Sequence, residues 1–354
     1  MPDQPPSGAK RATIKDVARE AGVSPALVSI VLNDTPGASE QTRERVRRIA
    51  ADLGYRPDAH AAFLRRRRAR LLGVSFSVQS AFHGDVLSGT YAAAERAGYE
   101  VTLSGWTSDR SEERAIGALL TFRCDALILL GSEVTEARLA ELVAQMPVVV
   151  VGRRLVEPVA DAVRTDDEVG MRLAVDHLAS LGHRHITHVD GGPGVKGQDR
   201  RDGYVAAMEA LGLGSLVEVV PGGQTVEDGI DAGQLLLADP GRRTAVVAFD
   251  DDLAWGLESV LLAAGTTIPD TLSLVGFDGS RLSRLTPLSG LTTVRQDAEA
   301  LAGLAVERAV SWIEQGRLPT NEVVLPPTLI VGRSTADPRA TGTADRPPGA
   351  RSRR

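Results

Sequence analysis

Cysteine is nearly missing from this 354-residue chain: Cys124 stands alone, which excludes an intrachain disulfide and fits a reducing compartment. It opens an apolar stretch, so it reads as a small buried hydrophobe and not as a reactive thiol. No run approaches the ~20 apolar residues of a membrane span. The opening MPDQPPSGAKR is polar and proline-bearing, without the apolar core of a secretion signal, so a cytoplasmic location is expected. Catalytic signatures are wanting too. The glycines of GGPGVKGQDR, residues 191–200, do not complete the G-x-x-x-x-G-K-[ST] pattern that cradles a nucleotide phosphate. No Ser/His/Asp or paired-carboxylate arrangement stands out, and no enzyme is expected. His177, His183, His185 and His188 are spaced for a helix end and a strand instead of a metal cage; neither a metal nor a cofactor is expected. Lysine occurs only as Lys10, Lys15 and Lys196.

Charge is present but divided. Residues 1–70 hold 14 Lys and Arg against 8 Asp and Glu, whereas the remainder holds 26 against 38, so a net −6 hides a basic head on an acidic body. That division suits a nucleic-acid-reading module joined to a ligand-binding core whose surface stays off the phosphates.

Within the head, Ile14, Val17, Ala18 and Ala21 recur at helical spacing. Thr13 caps that helix, Asp16 suits its positive end, and Gly22 supplies the left-handed residue that reverses the chain. Ser24 then caps a second helix with Pro25 at its first position, where a missing N–H costs nothing. This helix buries Leu27, Val28, Val31 and Leu32 and turns Ala26, Ser29, Ile30 and Asn33 outward. Ser39 caps a third helix carrying Val46, Ile49, Ala50 and Leu53 before Gly54. Two helices, a glycine turn and an exposed face of small side chains read as a helix-turn-helix, with a merely packed helical hairpin as the alternative. In Tyr55 to Arg70, Leu64 stands immediately before Arg65, Arg66, Arg67 and Arg68. A leucine beside arginines suits a segment lying on DNA with an apolar wedge in the minor groove; a solvated basic linker is the alternative.

The T-I-x-D-V-A start, the A-G-V-S turn, the V-S-x-V-L-N second helix and the G-Y-x-P that follows resemble the headpiece of the LacI/GalR family of bacterial repressors. The resemblance runs to about residue 335. It implies an all-α helix-turn-helix headpiece and a two-lobed α/β core of the type I periplasmic-binding-protein kind, built from two doubly wound parallel sheets. The expected layout is a disordered tail over residues 1–11, a DNA-binding domain over 12–57 and a hinge helix with basic linker over 58–70. An effector-binding and dimerisation core follows over 71–335, then a disordered tail over 336–354. The N-lobe is expected at about 71–161 and 294–321, and the C-lobe at about 164–291 and 324–334. Thr13, Ser24, Pro25, Ala26, Ser29, Ile30, Asn33, Tyr55, His60, Ala61, Leu64 and Arg65 are the candidate DNA contacts. Pro25 and Ala26 cannot make bidentate bonds to base edges, and Ile30 can only pack, for instance against a thymine methyl. Half-site spacing and deformability of the central step are therefore expected to carry much of the specificity.

From residue 71 onward, apolar runs such as LLGVSFS, DALILL, PVVVVG, TAVVAF and TLSLVGF alternate with helical stretches, as in parallel sheets covered on both faces. Ligands of such sheets bind beyond the carboxyl ends of the strands. That rule selects Phe82, His83, Ser132, Arg153, Asp166, Asp190, Asp250, Asp251 and Asp278. The resemblance matches Arg200, in DRRDGY, to an effector-clamping arginine and Asp278 to a sugar-hydroxyl acceptor, while Gln224 takes a position that is aromatic in several members. Carboxylates with one or two arginines favour a neutral polyhydroxylated effector, a sugar, over a purine or a strongly negative ligand. Helix capping is the competing role for Asp166 and Asp250. Trp106 suits stacking on a sugar or a lobe or subunit contact. Together these readings imply a homodimeric repressor on near-palindromic double-stranded DNA, controlled by a small molecule. A cytoplasmic sugar- or partner-binding protein without operator specificity is the alternative. The polar, arginine-rich end carries no apolar heptad for a tetramerising bundle.

Overall fold

The computed structural model describes residues 12–32, 36–55, 69–239, 241–284, 290–316 and 320–338. It divides into two compact units, Met1–Ala69 and Arg70–Arg354.

In the first unit, α1 (Ile14–Ala21), α2 (Pro25–Leu32) and α3 (Glu40–Asp52) enclose Val17, Ala18, Ala21, Val28, Val31, Val46 and Ala50. The Asp16 carboxylate accepts from the Thr13 N–H at 2.9 Å and from its hydroxyl at 2.6 Å, closing the start of α1. Those bonds, the hydroxyl's first, hold the Asp16 carboxyl below its usual range. Gly22 has φ +63°, a conformation that costs any residue with a Cβ, and it turns the chain into α2. The Leu27 N–H donates to Ser24 Oγ at 3.2 Å, and Ser39 Oγ accepts from Thr42 N. Leu27 and Leu32, expected to be buried, are half-buried, because α2 meets its neighbours chiefly through Val28 and Val31.

The second unit holds two six-stranded sheets. In the first lobe, β1 (Leu71–Ser77), β2 (Glu100–Trp106), β3 (Ala126–Leu130), β4 (Val148–Val151), β5 (Asp161–Thr165) and β11 (Glu322–Leu325) lie in the order β11-β5-β4-β3-β1-β2, all parallel. In the second lobe, β6 (Ile186–Val189), β7 (Glu218–Val220), β8 (Ala245–Ala248), β9 (Ser273–Asp278), β10 (Thr292–Arg295) and β12 (Thr328–Ile330) lie in the order β12-β10-β9-β8-β6-β7. Only the edge strand β12 runs antiparallel to its neighbour. Each sheet is sandwiched between two apolar clusters, one per face, which is why the strands read as unbroken apolar runs.

The chain crosses between lobes a few residues later than expected. β5 runs on to Thr165 and β11 to Leu325 in the first sheet, and β10, expected to lead into the first lobe from residue 294, pairs with β9 in the second. Hydrophobic pattern marks where a strand lies, but sheet membership is decided by pairing, which the pattern does not contain. The expected tail from residue 336 also begins too early. Ala336 donates its N–H to Ser273 Oγ at 3.1 Å and offers its carbonyl to His183 at 2.9 Å, so this residue is docked on the second lobe. Among the described residues, no helix is long and apolar enough to cross a membrane.

Candidate functional site

Four helices begin beside the space between the lobes: α4 (Ala81–Ala97) from the first lobe, and α8 (Val195–Ala210), α9 (Val226–Ala238) and α10 (Asp251–Ala263) from the second. The strands feeding them end there, as a doubly wound sheet requires. Ser77, Gln79, Ser80, His83, Trp106, Gly131 and Glu133 of the first lobe and Lys196, Gln224, Thr225 and Asp250 of the second enclose a cavity of about 150 Å³.

His83 is buried and held neutral. Burial, the neighbouring Lys196 charge opposing a second proton, and a bond at Nδ1 set its state; its pKa is pushed down to about 3. Because the Ser77 N–H donates to Nδ1 at 3.0 Å, the single ring proton sits on Nε2, making that atom a donor. Trp106 contributes a buried indole N–H with no acceptor among the described residues. Gln224 Nε2 donates to Glu133 Oε1 at 3.0 Å and to the Gly191 carbonyl at 3.3 Å, joining the two lobes across the cavity. Asp250 Oδ1 accepts from the Leu253 N–H at 2.8 Å, so it caps α10 while also lining the cavity; burial and the nearby Asp278 and Asp252 raise its pKa.

The other expected effector residues lie elsewhere. Phe82 faces the apolar core of the first lobe, since at the first turn of α4 it falls on the sheet-facing side. Arg153 is buried and donates to the carbonyls of Ser132 at 2.8 Å and Val134 at 2.9 Å, pinning the loop that presents Glu133. Ser132 itself is buried in that loop. Asp166 caps α7 (Asp167–Ser180) through the Val169 N–H at 3.1 Å, the competing role.

Arg200 is fully buried among protein groups. It donates to Asp167 Oδ1 at 2.8 Å, to the Phe249 carbonyl at 2.5 Å and to Asp278 Oδ1 at 3.4 Å, with its guanidinium 3.6 Å from the Phe277 ring centroid. Asp278 also accepts from Gln296 at 2.6 Å. It holds φ +108°, a conformation costing roughly 1–3 kcal/mol in a residue other than glycine, so the surrounding bonds enforce it. Arg200 and Asp278 are thus brought together as expected, but as a sealed ion network and not as walls of the cavity. Asp190 pairs with Arg201, and Asp251 accepts from Ser280 and Thr293, so neither carboxylate is left open to a ligand.

Sequence reasoning missed Ser77, Gln79, Ser80, Glu133, Lys196 and Thr225. The strand-end rule reached their neighbours, and the caps Ser80 and Thr225 were legible as helix starts. Lys196 sits inside the glycine cluster that was weighed only as a phosphate loop. Cys124 packs in the core with its thiol pushed up to about 12 by burial.

On the head, Thr13, Ser24, Pro25 and Ala26 are exposed, while Ser29, Ile30 and Tyr55 are half-buried. The Ile30 side chain lies beside Gly37, where an added Cβ would stand 3.7 Å from Ile30 Cγ2. Part of its apolar surface is therefore spent within the head. Asn33, His60, Ala61, Leu64 and Arg65 lie outside the described residues.

Comparison with known proteins agrees with both units. Residues 13–58 match the description "Bacterial regulatory proteins, lacI family", and residues 175–335 match "Periplasmic binding protein-like domain". The HTH-type transcriptional regulator GalR of Escherichia coli K12 is 33% identical over 332 residues, covering 92% of this chain and 96% of that protein. A LacI transcriptional regulator from a Rhodococcus species is 43% identical, with a TM-score of 0.72 over 75% of this chain and 98% of that one. The lac repressor dimer bound to operator and the anti-inducer ONPF is 25% identical with a TM-score of 0.78, covering 92% and 100%. The complex of the transcriptional regulator CelR with cellobiose is 28% identical with a TM-score of 0.67 over the same shares, 92% and 100%. A DNA-reading head, a two-lobed core and full-length relatives named as transcriptional regulators lead to one conclusion: the chain belongs to the lacI family of bacterial regulatory proteins.

Proposed function

We propose that this protein is a cytoplasmic repressor that binds a near-palindromic operator as a homodimer and changes its affinity when a sugar derivative occupies the space between its lobes. The observation that carries this reading is the inter-lobe cavity, whose walls come from both sheets of one chain. A ligand there touches both lobes at once and biases their relative angle, provided it binds one angle better than another. Cellobiose in the CelR complex and the operator-bound lac repressor dimer support the pairing of a sugar with operator control.

The exposed start of α2, Ser24 to Ala26, faces the major groove of each half-site, and the segment around Leu64 reaches the central minor groove. Leu64 acts there as a wedge, so ordering of the hinge is coupled to a deformable central step. Selection of bound sequences from random DNA, followed by a sugar screen for release or tightening, tests the whole reading. Recovery of no palindrome sinks operator specificity and leaves a sugar- or partner-binding protein. Leu64→Ala should weaken operator binding at least tenfold more than bulk DNA binding; equal losses on both would refute the wedge.

A further inference from the structure

Three side chains bring hydrogen-bond donors to the cavity. Trp106 brings an indole N–H without an acceptor among the described residues, His83 an Nε2–H, and Lys196 an ammonium. Among the described α-helices of the core, α8 alone has a cation and no acid in its first turn, and the cation is Lys196. A positive charge at that end opposes the helix dipole, so the placement is unfavourable for the helix by itself. Lys196 is half-buried, its ammonium lies 5.4 Å from the Phe249 ring centroid, and no carboxylate among the described residues pairs with it within salt-bridge distance.

Asp250 and Asp252 lie near enough to act on this charge, each already accepting from a backbone N–H, of Leu253 and of Ala81; the other strand-end carboxylates are committed elsewhere. Asp166 caps a helix, Asp190 holds Arg201, Asp251 holds Ser280 and Thr293, and Asp278 holds Arg200 and Gln296. Of the acids lining the cavity, Glu133 is bonded to Gln224 and abuts the Gly194 cap, and Asp250 is shifted toward its neutral form by burial. The strand-end count of carboxylates, which favoured a neutral ligand, therefore does not describe what faces the cavity.

We propose that the ligand of this cavity is a sugar carrying one acidic group, a carboxylate or a phosphate, with Lys196 as the partner of that group. The inference rests on the reading of the cavity as the effector site. The acidic group accepts from the Lys196 ammonium, a charge-assisted bond in a half-buried site, while the His83 and Trp106 N–H groups meet ring or hydroxyl oxygens.

Calorimetric titration of the full chain with matched pairs tests it: galactose against galacturonate, glucose against glucuronate and glucose phosphate, ribose against ribose phosphate, with inorganic phosphate as the bare anion. The expected result is at least tenfold tighter binding of an acidic member than of its neutral partner. That preference should collapse in Lys196→Gln and return in part in Lys196→Arg. Carboxylate and phosphate arms separate the two sources of charge. Equal or tighter binding of a neutral sugar, or an acidic preference unchanged in Lys196→Gln, overturns this proposal and leaves the cavity as the effector site. Silence of every compound, phosphate included, overturns both.

Discussion

Replacing Arg200 by methionine should cost the core several kcal/mol whatever ligand the protein takes. The guanidinium is fully buried and donates to Asp167, to the Phe249 carbonyl and to Asp278. Methionine of similar length keeps the packing against Phe277 but strands two buried carboxylates and a carbonyl. Removing one partner of a buried ion pair costs about 3–5 kcal/mol. At about 2 °C per kcal/mol, the lower end for a core of this size, the melting temperature should fall by roughly 6–10 °C. Adding Asp278→Asn removes one stranded charge, keeps an oxygen for the Gln296 bond, and places at φ +108° a residue that tolerates positive φ better than most. The double variant should therefore melt above Arg200→Met. Scanning calorimetry of the ligand-free protein checks both. A single variant melting within about 2 °C of the parent would refute the ion network as a stabilising unit. A double variant that melts lower still would refute the stranded-charge argument.

Two further outcomes are expected. Burial lowers the pKa of His188 to about 4; its Nδ1 bonds the Val247 carbonyl at 2.9 Å, so the ring is neutral with its proton on Nδ1. The unfolded chain binds more protons there between about pH 6.5 and 4, so stability is lost on acidification, by about 2 kcal/mol per such histidine at pH 5. His83 acts in the same direction. Asp252, raised from its ordinary 3.8 to about 6 chiefly by burial, acts oppositely across that range. In urea melts at pH 7 and pH 5, His188→Leu should lose less on acidification than the parent, and an identical loss would contradict the assignment. Separately, Ile30→Arg introduces a side chain able to bond guanine edges and should re-rank operator variants in a base-pair scan. An unchanged ranking means that Ile30 does not face the bases.

The helices of the head and nearly every strand of the core were legible because their signals are local: caps at Thr13, Ser24 and Ser39, the turn glycine Gly22, and apolar runs of four to seven residues. Where the chain changes lobes was not, since β10 and β11 look alike as sequences and differ only in the neighbour each pairs with. The site divided in the same way. His83 and Asp250 were reached by the rule that ligands sit past strand ends and Gln224 by the family resemblance, but the rule cannot tell an acid facing the cavity from one consumed by Arg200 or by a helix N-terminus. Asp278 and Asp166 were of the second kind. Lys196 was passed over because its meaning depends on which carboxylates remain uncommitted, a property of the assembled lobes.

The contacts that span the lobes set the scale on which a ligand acts. The Ala81 N–H donates to Asp252 at 3.0 Å and the Arg281 N–H to Asp85 at 3.1 Å. Arg154 pairs with Asp199 at 2.9 Å, and Gln224 bonds Glu133. The Arg154–Asp199 ion pair contributes about 0.2–1 kcal/mol and each of the three hydrogen bonds about 0.5–1.5 kcal/mol. Their sum is of the order of the 1–3 kcal/mol that couples two sites in a typical allosteric protein. A cavity ligand that strains or completes even two of them therefore shifts operator affinity severalfold without remodelling either sheet. Gln224 and Glu133 belong to both sets, lining the cavity and bridging the lobes. An acidic group seated on Lys196, in the first turn of α8, competes with the Glu133 carboxylate that abuts the Gly194 cap of the same helix. Repulsion between the two negative groups loosens that bridge, whereas a neutral sugar in the same place leaves it intact. Glu133→Gln keeps an oxygen for Gln224 while removing the repulsion. In that variant an acidic sugar should still bind but should change operator affinity less than in the parent. An undiminished response would place the coupling at the Asp252 and Asp85 side of the cleft instead.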